Sequence, residues 1–147
     1  MNSRVLLATT GNMSQTNLQQ QITVHALPSK VWKVLTNSEY VSQYFFKDTI
    51  QCDWTEGSVI LSSNGNETQE TIGKVLESVP GMLLKFNFLD ETDESYLTRT
   101  YELILAGDGV ELKMKCEGFT ATNPEFRIRL QQASLILQKI KWLSEYS

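Results

Sequence analysis

With 147 residues, 41% of them hydrophobic and 20% charged, the chain has the size and composition of one globular domain that buries a core without disulfides or metals. Its net charge of −4 and its singly scattered Lys and Arg argue against nucleic acid as a partner. Cys52 and Cys116 lack metal-ligand spacing and suit a reducing compartment, so the expected location is cytoplasmic. The apolar run Val5 to Ala8 is too short for a signal-peptide core, and no stretch of about 18 apolar residues offers a membrane span.

Residues 1–16 are rich in Thr, Asn, Gln and Ser without a period, and read as a flexible N-terminal arm ahead of a single domain over 17–147. In LQQQITVHA, Leu18, Ile22 and Val24 alternate with Gln19, Gln21, Thr23 and His25, the pattern of a half-buried strand. Pro28 suits the first turn of a helix that carries Val31, Trp32 and Leu35. Thr36 and Glu39 have the spacing of a capping box for a second short helix with Tyr40, Val41 and Tyr44. Hairpin punctuation follows: Asn64-Gly65, Pro80-Gly81, the acidic run 90–94 and Gly107-Asp108-Gly109 separate strands near 47–54, 58–63, 68–78, 82–89, 96–106 and 109–117. From Pro124 to about Tyr146, Phe126, Leu130, Ala133, Leu137 and Ile140 recur at helical spacing. The expectation is an α+β domain in which a curved antiparallel sheet of about six to seven strands packs on a long C-terminal helix.

The ordered pieces ITVHALPSKVWKVLTNSEYVSQYF, DWTEGSVI and IGKVLESVPGMLLKFNF carry a resemblance over roughly residues 18 to 145. The sequence resembles the family similar to the C-terminal domain of the activator of heat-shock protein 90 ATPase, in the START (SRPBCC), birch-pollen-allergen-like helix-grip superfamily. The resemblance implies a sheet wrapped around the last helix and, in many members, an apolar cavity between them. Two places depart from the pattern. Where the family usually has Gly-Trp early in the last helix, this chain reads Gln132-Ala133 or Ala133-Ser134, and Tyr44-Phe45-Phe46 replaces the usual Trp-Phe.

Reacting groups are sparse. The single histidine, His25, falls at the polar parity of the first strand and reads as a surface residue, and with no second imidazole no metal site is expected. Cys116 shares the inward parity of Met114 and reads as a buried, inert thiol. The acidic run 90–94 lacks the Gly and spaced ligands of a calcium loop and reads as a solvated hairpin tip. No catalytic residue and no cofactor is expected.

Arg99 is the informative residue. In YLTRTYELIL it shares the apolar parity of Leu97, Tyr101, Leu103 and Leu105, and a guanidinium there needs an acid, solvent or an anionic ligand. Two readings stand: the head snorkels out at a cavity rim, or it anchors the carboxylate or phosphate of an amphipathic ligand. Trp54, Phe86, Phe88 and Tyr101, with Met114, Ala133 and Leu137, read either as plain core or as pocket lining, with Tyr40 and Tyr44 nearer the rim. On the opposite side of the last helix, Ile128, Leu135 and Trp142 recur every seven residues, a stripe that the N-terminal arm covers or that pairs in a weak homodimer.

Three functions follow in order. The first is non-enzymatic binding of a small apolar or amphipathic molecule between sheet and helix. The second, implied by the resemblance, is an interaction module acting on a chaperone. The third is a polyketide cyclase-like enzyme using Arg99 or Tyr101.

Overall fold

A computed structural model describes residues 4–9, 15–44, 49–63, 69–90, 95–120 and 126–147, and side chains within 18–44, 49–63, 69–89, 96–118 and 131–147. In chain order the elements are β1 (Arg4–Thr9), β2 (Gln15–Val24), α1 (Pro28–Thr36), α2 (Ser38–Tyr44), β3 (Thr49–Gln51), β4 (Val59–Ser63), β5 (Gln69–Val79), β6 (Leu83–Asp90), β7 (Ser95–Ala106), β8 (Gly109–Thr120) and α3 (Phe126–Tyr146). The strands form one antiparallel sheet in the order β1-β2-β8-β7-β6-β5-β4-β3, with α3 against β2 and β8 and with α1 and α2 packed on α3.

The α+β arrangement agrees with the sequence reading, with one strand more. Arg4–Thr9 lies inside the segment read as an arm, yet it pairs antiparallel with β2 from Arg4 opposite Gln21 to Thr9 opposite Thr16. The polar composition between the two strands hid a short hydrophobic run that finds its partner through a hairpin. The cap of α2 also differs. Asn37 holds it, its side-chain oxygen accepting the Glu39 N–H at 3.0 Å, while the Thr36 hydroxyl donates back to the Trp32 carbonyl inside α1. Asn is at least as good an N-cap as Thr, and the residue one position later wins.

Alternation along the strands sets two faces. On β2, Leu18, Gln20, Ile22 and Val24 are buried, and on β8 so are Val110, Leu112, Met114 and Cys116. These face the buried stripe of α3, which includes Ala133, Ile136, Leu137, Ile140 and Leu143. Register shifts at Thr16/Leu18, Ile60/Leu61 and Val75/Glu77 place an irregularity in three of the ladders. Such bulges bend and twist the strands that carry them, which is how a sheet curls around one helix. Near the last of these, a Cβ on Gly73 would stand 1.9 Å from the Asn87 carbonyl oxygen, so only glycine allows β5 and β6 to approach as they do.

The far end of α3 is tied down. Lys141 donates to the Thr23 carbonyl at 2.7 Å and pairs with Glu145 at 2.6 Å, and the Glu145 carboxylate in turn accepts the His25 backbone N–H at 2.7 Å. His25 itself is exposed, as its parity on the first strand predicts. Among the described residues no helix is long and apolar enough to cross a membrane.

Candidate functional site

Strand register decides which inward side chains meet. Leu18, Cys116, Arg99, Phe86 and Val75 lie opposite one another across β2, β8, β7, β6 and β5. One step along, Gln20, Met114, Tyr101 and Leu84 form the next row. The first row therefore puts a guanidinium beside an aromatic ring, and the second puts a phenol beside it.

Around Phe86 the rings form one cluster. Trp54 meets Phe86 edge-on at 5.6 Å between centroids, Phe88 lies at 6.0 Å and Tyr101 at 6.2 Å, and Tyr44 meets Tyr101 edge-on at 6.4 Å. Edge-to-face and tilted packing at these distances is favourable for quadrupolar rings. Arg99 does not snorkel. Its residue is 7% exposed, and its Cζ stands 4.8 Å from the centre of the Phe88 ring, a cation–π arrangement. Burial works against its charge, but Tyr101 and Cys116 beside it outweigh that and hold its pKa above the ordinary value. Burial pushes the Tyr101 hydroxyl up, with Arg99 pulling the other way without prevailing, and it pushes Tyr44 well up. Both phenols stay neutral.

Two donors in the cluster are left over. The Tyr44 hydroxyl donates to the Leu35 carbonyl at 2.8 Å. The Trp54 indole N–H, in a residue 3% exposed, meets no hydrogen-bonding partner among the described residues, and the polar neighbour of the fully buried Tyr101 hydroxyl is Arg99, whose guanidinium only donates, so the Tyr101 O–H meets no acceptor. Each such group carries a desolvation cost of about 1–3 kcal/mol.

Trp54 is also strained. Its φ is +59°, the left-handed region that a bulky residue rarely adopts. The loop holds it there: the Trp54 N–H reaches the Cys52 sulfur at 3.3 Å, the Ser58 hydroxyl donates to the Thr55 carbonyl at 2.6 Å, and Gly57 and Ser58 bond the Val75 backbone at 2.8 Å each. Half-burial raises the Cys52 pKa. Nothing in the sequence marked this conformation, because Asp53-Trp54-Thr55 contains no Gly or Asn at the strained position.

The residues expected to line a site divide into two groups. Trp54, Phe86, Phe88, Arg99, Tyr101 and Met114 come together on the inner sheet face, with Tyr44 buried among them rather than at a rim, and Ala133 and Leu137 are buried on α3. Tyr40 stands apart at the end of α3, where Lys30 lies 5.6 Å over its ring and the Ser147 hydroxyl approaches its oxygen at 3.4 Å. That contact lowers the Tyr40 pKa. Gln20, a buried amide in the row of Tyr101, was not among the expected residues; its inward parity between Leu18 and Ile22 was the available signal. A depression of about 250 Å³ is lined by the wet, mixed-charge side chains Gln19, Gln21, Thr100, Glu102, Lys113 and Lys115 and by two residues of the inner row, Gln20 and Met114. Among the described residues no group of three His, Cys, Asp or Glu is placed to hold a metal.

The family model described as "Activator of Hsp90 ATPase homolog 1-like protein" matches residues 25–143. The chain belongs to that family. Solved structures similar to this family member share its fold. A conserved protein of unknown function from Enterococcus faecalis superposes with a TM-score of 0.75 at 12% identity, covering 97% of this chain and 78% of that one. CalU16 from Micromonospora echinospora gives 0.73 at 15%, covering 99% and 88%. The Aha1 dimer from Colwellia psychrerythraea gives 0.73 at 15%, covering 88% and 96%. At these identities the likeness is one of fold, not activity. No curated protein shows a significant match.

Proposed function

We propose that this family member binds a small apolar or amphipathic molecule between the inner sheet face and α3, without carrying out chemistry on it. One observation carries the reading: two hydrogen-bond donors, the Trp54 indole N–H and the Tyr101 O–H, are buried in a single aromatic cluster without a protein acceptor among the described residues. Native proteins rarely leave such groups unmatched, and a ligand that matches them recovers their desolvation cost. Native mass spectrometry of freshly purified protein, followed by amide-shift mapping with fatty acids and aromatic compounds, tests it. Shifts confined to Trp54, β6, β7 and β8 are the expected result.

A second reading rests on the outer side of α3. Leu135 and Trp142 are 57% and 53% exposed, Trp142 stacks on Tyr146 at 6.2 Å, and Lys139 lies over the Trp142 ring. The third residue of the expected stripe, Ile128, has its side chain outside the described residues. β1 pairs into the sheet and Leu135 and Trp142 are exposed, which supports reading the stripe as a contact for a protein, either a second copy or the chaperone of the family's description. If no compound moves the inner amides while heat-shock protein 90 moves those of α3, the second reading replaces the first.

A further inference from the structure

The two unmatched groups also restrict what the ligand can be. The Trp54 indole N–H only donates, and the Tyr101 hydroxyl can donate. Both rings touch Phe86, so the two groups belong to one aromatic cluster. The walls around them are flat rings: Phe86, Phe88 and Tyr44. Among the described residues the buried polar or charged side chains are Gln20, Arg99 and Ser144, so no carboxylate shares the interior with the two donors.

The strain at Trp54 adds an independent observation. A tryptophan held at φ +59° costs conformational energy that an ordinary turn residue would avoid, and the hydrogen bonds of the 52–58 loop to β5 maintain it. The outcome of that strain is an indole 3% exposed with its N–H inside the cluster. Simple packing would be served as well by a relaxed residue without a polar atom.

Resting on the ligand-binding reading above, we infer that the site takes a flat aromatic molecule bearing a hydrogen-bond acceptor, a carbonyl or oxyanion oxygen, which receives the Trp54 indole N–H and the Tyr101 hydroxyl while its rings join the Phe86 cluster. Arg99 contributes a positive field from the strand position opposite Phe86, which favours the same oxygen. An aliphatic chain of equal length matches neither donor.

A pair of probes isolates the acceptor. 2-Acetylnaphthalene and 2-ethylnaphthalene have nearly the same shape and differ in one oxygen. Each is titrated into the full chain, followed by amide shifts and by the indole N–H signal of Trp54. The ketone is expected to bind about tenfold more tightly and to move that indole signal, since two neutral hydrogen bonds are matched by it and none by the hydrocarbon. In Trp54→Phe and Tyr101→Phe the ratio of the two affinities falls to about threefold or less, whatever either change does to packing against the naphthalene ring that both probes share, and an amide spectrum of the parent's dispersion shows the fold intact. Tyr101→Phe keeps the test open if relief at Trp54 disturbs the loop. Equal affinity for the two probes, or a preference that both variants retain, overturns the inference and leaves the ligand-binding reading in place. If neither naphthalene nor dodecanoate moves an inner-face amide, that reading falls as well.

Discussion

Removing one oxygen atom from Tyr101 separates two roles for the buried phenol. With no ligand present, its O–H has given up water for no acceptor among the described residues. Tyr101→Phe is therefore expected to raise unfolding stability by about 1 kcal/mol, read as a higher denaturant midpoint at constant m-value. A loss of similar size would mean that the hydroxyl is satisfied within the fold. Glu145 makes a pH prediction. Burial raises its pKa, but the hydrogen bond from Lys141 and that from the His25 N–H outweigh this, and the net shift is downward. A carboxyl whose folded pKa lies below the unfolded one adds stability above the unfolded value, about 4.3, and loses it as pH falls through the folded value. Glu145→Gln should be less stable than the parent at pH 7 and match it in acid, as thermal unfolding across that range would show. Of these residues, Arg99 and Tyr101 were legible from parity, since period-two alternation fixes the face of a strand residue. The strain of Trp54 was not, because local chemistry disfavours it and only loop contacts to β5 hold it.

At the scale of elements, the close approach of β5 and β6 depends on Gly73. Gly73→Ala sets a Cβ against a backbone carbonyl, which cannot rotate away as a flexible side chain could, so the ladder between Gly73 and Phe88 must open. A loss of at least about 2 kcal/mol is expected in denaturant unfolding, with amide shifts centred on β5 and β6. A variant as stable as the parent would show that the two strands can part at no cost. Sequence patterns located most strands within two residues, because Gly and Pro turns punctuate them clearly. They failed at β1, whose six residues give little periodicity by themselves and become a strand only by pairing with β2. They also set the α2 cap one residue early, where two adjacent residues, Thr36 and Asn37, could both serve and only the path of the chain between α1 and α2 decides.

For the molecule as a whole, the strand order sets a gradient of protection. β8 is hydrogen-bonded on both edges by β2 and β7 over long ladders, whereas β3 has three residues and one neighbour. Native-state hydrogen exchange should find the slowest amides in β7 and β8 and the fastest strand amides in β3, and a reversed order would contradict the sheet described above. Helix-on-sheet architecture was legible as a whole because two long-range signals agreed, alternating strands and one closing amphipathic helix. The aromatic cluster was legible only as a set of inward residues. Its donors and their isolation arise from the register of four strands and one loop, which no local pattern records. The three tryptophans differ in setting: Trp54 is buried in the cluster, Trp32 is partly buried beside the core and Trp142 is half exposed on α3. Substituting Trp32 and Trp142 by Phe would leave one indole as a fluorophore at the proposed site, so that the emission colour of the protein itself reports whether the site is filled.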